Sequence, residues 1–359
     1  IMAYTDIDKP SDYFETKLYT GNGGTQSITG LDFEPNWTWI KHRDGATAHM
    51  IFDSVRGALY RLSTNNSNSQ ASAANTLTSW NSDGFALGSE NDTNGNSRLF
   101  VSWNWKAGTS VSGNTGGSGT SKSYSGSVNT DAGFSIIKYT GNGTAGHTIP
   151  HHLGVQPQLV ICKRLGQYGQ WVVGSMALPN QFEQFLELDL TGAAQTSSLR
   201  WNNTDPSSSV FTVGSTADTN QDGTTIIAYS FAEKKGYSKF SSYTGTSSQI
   251  FNYTGFKPRF ILIKKTSEGA SWQLFDTKRT SSNGGNVLNY IIYPNLSNSE
   301  DDDAYNYIDA YANGFRCFSG PGGQGTETNK NGQNFIYMAF AENPFVTSTG
   351  NGSIPTTAR

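Results

Sequence analysis

The residues whose types could do chemistry are few, and their spacing is poor. His147, His151 and His152 form the one histidine cluster, with no carboxylate or cysteine at a ligand spacing. A solvated loop is the expectation there, not a metal site. Glu187 and Asp189 could by composition supply the paired carboxylates of glycoside hydrolysis, yet nothing separates them from ordinary surface acids. No Gly-x-Ser-x-Gly element stands between a strand and a helix, so a serine nucleophile is not expected. Glu300-Asp301-Asp302-Asp303 gathers carboxylates that could hold Ca²⁺. It lacks the alternating spacing and glycine of a calcium loop, and a plain solvated loop is favoured. Gly21-Asn22-Gly23 opens no helix and reads as a turn, not a phosphate cradle. No catalytic residue, metal or cofactor is expected.

Aromatic rings offer a different chemistry. Flat rings stack on sugar faces and amide side chains bond hydroxyls, so exposed aromatics on an Asn- and Gly-rich β scaffold suit a glycan. Tyr168, Trp201, Tyr293, Tyr305 and Tyr307 are the candidates. The plain alternative for each is a place in the core.

The elements that would hold these residues are strands. Only 15% of the 359 residues are charged, and polarity comes from Asn, Ser, Thr and 40 glycines, as in turns between short strands. Aromatics at 13% argue against disorder. A net charge of −3 without a basic run makes nucleic acid an unlikely partner. No apolar run is long enough to span a bilayer. Met2 reads as the natural start, with Ile1 an extra residue, and no signal peptide follows, so synthesis in a cytoplasm is expected. Cys162 and Cys317 read as small core hydrophobes.

Internal repetition organises the chain. Leu18-Tyr19-Thr20-Gly21-Asn22-Gly23, Lys138-Tyr139-Thr140-Gly141-Asn142-Gly143 and Ser242-Tyr243-Thr244-Gly245 open three segments alike. Each is followed by a proline and a strand ending in lysine: Pro35 to Lys41, Pro157 to Lys163, Pro258 to Lys264. Then come Met50 to Asp53, Trp171 to Gly174 and Trp272 to Asp276, and next Phe85, Phe211 and Phe315. Each segment closes on an aromatic strand: Phe100 to Trp105, Ile226 to Phe231 and Phe335 to Phe340. In the first of these Val101, Trp103 and Trp105 alternate with Ser102 and Asn104, which predicts one buried and one wetted face. The lysine-ended strands of the second and third segments are apolar on both faces and should lie mid-sheet or beneath another layer. Helix is scarce, the best stretches being Asp53 to Leu62 and Pro179 to Leu188.

The expected fold is all-β, with three tandem antiparallel β-sandwich repeats and minimal helix. The boundaries are repeat one at 1–108, a Gly/Ser/Thr-rich linker or long surface loop at 109–130, repeat two at 131–236, repeat three at 237–346, and a loose tail at 347–359. Repeats two and three, nearly gapless, should dock more rigidly on each other than on the first.

The run Met2-Ala3-Tyr4-Thr5-Asp6-Ile7-Asp8-Lys9-Pro10-Ser11, with Pro35 to Asp44, Phe52 to Gly57, Asp83 to Gly88 and Trp103 to Gly108, resembles a module of marine bacteriophage structural proteins. The likeness is close over the first repeat and weaker beyond it. It implies SPRY- or concanavalin-like jelly-roll sandwiches and a virion location. Asp53 and Arg56 of the Phe52 to Gly57 element could pair near a ligand. Loss of the Arg56 counterpart in repeat two favours an internal pair instead. The expected role is a tail-fibre or receptor-binding component touching host-surface polysaccharide, with capsid decoration or tail scaffolding as the alternative. Expected partners are other virion proteins and further copies of the chain, a trimer by analogy with fibres, without nucleic acid or membrane insertion.

Overall fold

The computed structural model describes residues 5–280, 286–302, 308–319 and 325–347. These residues are mostly β, in several antiparallel sheets, with four short α-helices of four residues each. Three sheets share one strand order: opening strand, closing strand, lysine-ended strand, short third strand. In the first segment these are Phe14–Thr20, Leu99–Trp105, Trp37–His42 and Met50–Asp53. In the second they are Phe134–Thr140, Thr225–Phe231, Leu159–Arg164 and Val172–Ser175. In the third they are Ser238–Thr244, Asn334–Pro344, Phe256–Lys265 and Gln273–Asp276. The lysine-ended strand is flanked on both sides each time, which its apolar faces require.

One face of every such sheet turns toward a single shared core. Trp37, Trp105, Phe134, Phe231, Phe260 and Phe340 belong to this one cluster, although they come from all three segments. The equivalent rings of the closing strands meet near its centre, Trp105 and Phe340 at 5.5 Å and Phe231 and Phe340 at 6.0 Å between centroids. The opposite face of each sheet shares a separate apolar cluster with a second, smaller sheet. These second layers contain Gln26–Ile28 with Gly84–Leu87, His147–Pro150 with Val210–Val213, and Gln249–Tyr253 with Gly314–Phe318. Ser102 and Asn104 point into that space and are fully buried, so the face expected to be wetted is not. Asn104 Nδ2 donates to Ser102 Oγ at 3.0 Å and to the Glu15 carbonyl at 3.2 Å. A small polar network thus replaces water there.

Two expected features are corrected. Residues 109–130 are neither a linker nor a free loop. Thr109–Asn114 and Ser123–Asn129 form a hairpin that extends the second segment's sheet beyond Phe134–Thr140, and Gly116–Gly117 pairs with His147–Pro150. Backbone pairing needs no large side chain, so a Gly/Ser/Thr composition does not forbid it. Nor do Asp53 to Leu62 and Pro179 to Leu188 form helices. The first is a turn with a short strand at Tyr60–Arg61, and the second a 3-10 turn at Gln181–Glu183 running into Gln184–Glu187.

The repeated Tyr-Thr-Gly motif fastens the start of each segment to its last helical turn. The hydroxyls of Tyr19, Tyr139 and Tyr243 donate to the carbonyls of Thr93, Thr219 and Thr328. The next residue in each case, Asn94, Asn220 or Asn329, is buried, and its amide oxygen accepts a backbone N–H of the opening turn. Gly21 must be glycine, because a side-chain carbon there would lie 2.2 Å from the Gly95 carbonyl oxygen.

Candidate functional site

The residues with chemical potential are gathered at three seams, where the segments join around the central core. The residue just before each short third strand spans a seam. Trp171 Nε1 donates to the Ser63 carbonyl at 2.8 Å, and Trp272 Nε1 to the Glu187 carbonyl at 2.9 Å. At the third seam His49 stands in the tryptophan's place, its Nε2 3.0 Å from the Tyr293 carbonyl. His49 Nδ1 accepts from Trp39 Nε1 at 2.8 Å, so Nε2 carries the proton. Backbone bonds repeat the pattern: Gln70 N to Leu165 O, Ala194 N to Thr266 O, Glu300 N to Arg43 O, at 2.9, 2.8 and 2.7 Å. First joins second, second joins third, and third joins first. The ring is closed by equivalent contacts, and the expectation of a loosely docked first segment is corrected.

Lys41, Lys163 and Lys264 each stand one residue before the end of their strand and are buried at one end of the shared core. Each ammonium bonds backbone carbonyls: His42 and Gly45 for Lys41, Ser67 and Gly169 for Lys163, Thr191 and Ala270 for Lys264. Burial pushes each down to about 8. Lys163 lies 5.9 Å from the ring centroid of Trp171 and Lys264 6.0 Å from that of Trp272.

Asp53 and Arg56 form an internal pair. Asp53 Oδ1 accepts the backbone N–H of Val55 and of Arg56, and Oδ2 accepts from Arg56 Nε. The remaining guanidinium nitrogens donate to the Tyr60 and Ile51 carbonyls. Across the seam, the second segment's Tyr229 hydroxyl donates to Asp53 Oδ2 at 2.7 Å. Asp276 and Arg279 repeat the motif in the third segment, where the donor is Trp103 Nε1 of the first, at 3.0 Å. The second segment has Ser175 in place of the aspartate, and the third has Met338 where the first has Trp103 and the second Tyr229. Both acceptor and donor are therefore missing together at the remaining seam, which leaves no orphaned buried charge.

The other candidates are spent in the same way. His147 and His151 are buried, not solvated. His147 lies 2.9 Å from Asn220 Oδ1 and 2.6 Å from Thr115 Oγ1, and His151 Nδ1 accepts from Leu153 N. The exposed His152 lies 2.7 Å from the Tyr124 hydroxyl. Glu187 pairs with Arg200, while Asp189 accepts the Trp171 backbone N–H; burial raises the pKa of both carboxyls. Glu300 belongs to no solvated loop: it takes a bidentate contact from Arg43 and another from Arg279. Burial alone would raise its pKa, but the Arg43 hydrogen bonds and both guanidinium charges outweigh this and hold it low. Asp301 and Asp302 instead take Tyr293 Oη and Asn289 Nδ2, and Asp303 lies outside the described residues. Among the described residues no group of three or more His, Cys, Asp or Glu side chains could hold a metal ion. Cys162 and Cys317 are buried and unlinked, and burial pushes their thiols up to about 12.

The aromatic candidates divide. Tyr168 is 70% exposed on the loop between Arg164 and Val172. Near it the first seam opens a groove of about 490 Å³ lined by Arg56, Tyr60, Gln70, Lys138 and Gln167 among others. Trp201 is 0% exposed and packs on Phe182 and Phe211, so it cannot stack on a sugar. It caps the second segment's inner cluster. Tyr293 is half-buried against the third segment's cluster, with its hydroxyl on Asp301. Tyr305 and Tyr307 lie outside the described residues. Sequence reading missed Phe251 and Tyr253, which are 45% and 61% exposed on one strand. Their alternation with Ile250 and Asn252 was the available signal.

Among the described residues no helix is long and apolar enough to cross a membrane. No curated protein and no solved structure matches the chain. A family model described as a domain of unknown function (DUF7483) matches residues 9–344. The chain belongs to that family.

Proposed function

We propose that this member of a family of unknown function is a non-catalytic component of a bacteriophage particle, a tail-fibre or receptor-binding protein that meets host-surface glycans. On this reading the three segments are copies of one two-layer sandwich of the concanavalin or SPRY kind, packed about a threefold pseudo-axis. The common strand order of the three inner sheets supports it, as does the motif resemblance over the first segment. One observation carries the functional part. The buried ionisable groups considered above are bonded within the seams and the cores, whereas the exposed positions are rich in Asn, Ser, Thr and Gly and include the rings of Tyr168, Phe251 and Tyr253. Such a surface suits adhesion, in which stacking and amide hydrogen bonds are renewed over many weak contacts. Capsid decoration or tail scaffolding is the second reading, favoured by the closed ring, which suits a compact building block.

Peptide mass spectrometry of purified particles should detect the chain, and an imaging reconstruction should place it at the distal end of the tail apparatus. Regular density over the capsid, or density enclosed by other tail proteins, selects the scaffolding reading. Absence of the chain from the particle overturns both.

A further inference from the structure

The outward face of the third segment's second sheet differs from its two counterparts. Register sets three rows across it: Gln249 beside Phe318; Phe251, Arg316 and Asp309; and Tyr253, Gly314 and Tyr311. The row holding Phe251 and Arg316 corresponds to Ser27 with Ala86 in the first segment, and to Thr148 with Thr212 in the second. Only the third segment has replaced small or polar residues by rings and a guanidinium. Phe251 and Tyr253 stay open to solvent in the middle and at the end of a paired strand, where turning inward was possible for neither.

The face is built as well as exposed. A side-chain carbon at Gly314 would lie 2.2 Å from the Asn252 carbonyl oxygen and 2.8 Å from Phe251 Cζ, so glycine both lets the strands close up and leaves room for that ring, which lies 5.9 Å from Tyr311 between centroids. Arg316 is held 4.6 Å from the Phe318 centroid and 5.2 Å from that of Tyr311, and pairs with Asp309 at 2.8 Å. A guanidinium fixed in this way is pre-organised at little entropic cost, and the Arg316 side chain stays 31% exposed.

Size and charge define the occupant. Three strands about 4.8 Å apart and five residues rising about 3.4 Å each give a platform of roughly 10 by 14 Å. A stable protein partner needs about 800 Å² and some 20–30 residues a side, far more than these seven side chains supply. Two or three sugar rings fit. The Arg316 charge is balanced by Asp309, so the platform offers no net field for a polyanion. We infer that this face binds a short neutral saccharide, the C–H faces of its rings on Phe251 and Tyr253 and its hydroxyls on Gln249 and Arg316. This rests on the glycan-adhesion reading and gives it a location.

The full chain and the variants Phe251→Ala/Tyr253→Ala and Tyr168→Ala would be applied to an array of neutral and anionic bacterial oligosaccharides, each checked by thermal unfolding. The wild type should be retained by neutral oligosaccharides. The double variant should lose at least tenfold in affinity with its unfolding temperature nearly unchanged, and Tyr168→Ala should bind as the wild type does. Binding that survives the double variant, or is lost only with Tyr168, overturns the platform while keeping glycan adhesion. Retention by anionic sugars alone overturns the neutral ligand class. No retention of the wild type by any saccharide overturns the platform and the adhesion reading together. Self-association in sedimentation that the double variant abolishes overturns the ligand assignment in favour of a protein interface.

Discussion

At the scale of single residues, His49 separates one seam from the other two. Trp171 and Trp272 perform the equivalent bond with rings that do not titrate. His49 is buried, and burial, reinforced by the nearby charges of Lys41 and Arg279, holds its pKa well below the ordinary imidazole value. Asp276, Glu300 and Arg43 lie at the same seam, but the two acids are already paired with Arg279 and Arg43. An unfolded chain would protonate His49 below about pH 6.5, whereas the folded chain resists. The folded state then binds fewer protons, so stability conferred by the neutral ring is complete above pH 6.5 and is lost as pH falls below it. His49→Gln should retain both hydrogen bonds, the amide oxygen accepting from Trp39 and the amide N–H donating to Tyr293. Denaturant midpoints should show the variant about 1–2 kcal/mol less stable at pH 7, for the lost ring contacts, and less sensitive to acid between pH 6.5 and 5. An unchanged acid slope would rule the ring out as the sensor. This bond could not be read from the chain. The sequence shows a histidine before an apolar strand, while its partner carbonyl lies 244 residues away.

At the scale of elements, the strands and their order along the chain were legible, because period-two patterning and the Pro-to-Lys spacing report local structure. The hairpin from Thr109 to Asn129 was not. Edge strands need only backbone partners, and its apolar signal is confined to Val111, Tyr124 and Val128. Tyr124 and Val128 are nonetheless buried in the second segment's cluster. The bare counterparts of this edge in the other segments are closed differently. Glu15 accepts the Thr16 N–H, and Glu233 accepts that of Phe240, so a carboxylate stands where a partner strand's carbonyl would be. Such capping guards an edge against pairing with other chains. Excising residues 110–126 should be sterically feasible, since Gly108 N lies 2.8 Å from Ser127 Oγ. The shortened chain should lose on the order of 3 kcal/mol or more in chemical unfolding, from the apolar surface released, and aggregate through the uncovered Phe134–Thr140 edge. A monodisperse product of unchanged stability would show the hairpin to be dispensable.

On the scale of the whole molecule, the motifs that recur in the three sheets of common strand order were visible in sequence, but the ring was not. Spacing reveals recurring motifs without saying that the inner faces meet, and Trp37 and Trp105 read equally well as core of a separate domain. The second segment contains its own versions of both seam partners, Trp171 with the Glu187 carbonyl and Ala194 N–H with the Leu165 carbonyl. Expressed alone as residues 109–236, it would expose Phe134, Tyr229 and Phe231. Light scattering after size-exclusion chromatography should therefore find it associated, with the trimer as the closed form. A well-folded monomer would mean that the shared core is not what holds the segments together.

The paired absence of an aspartate at Ser175 and of a donor at Met338 has a consequence for the order of the ring. Were the three segments identical, every seam could accept any neighbour, and a swapped or slipped order would cost nothing. With a hydroxyl and a thioether at one junction in place of a charge and a donor, the segments are not interchangeable, and a single circular order is cheapest. Mutations at one junction then need matching changes across that junction alone. The periphery is free of this bookkeeping, so one segment's outer face can specialise while its sisters keep theirs plain.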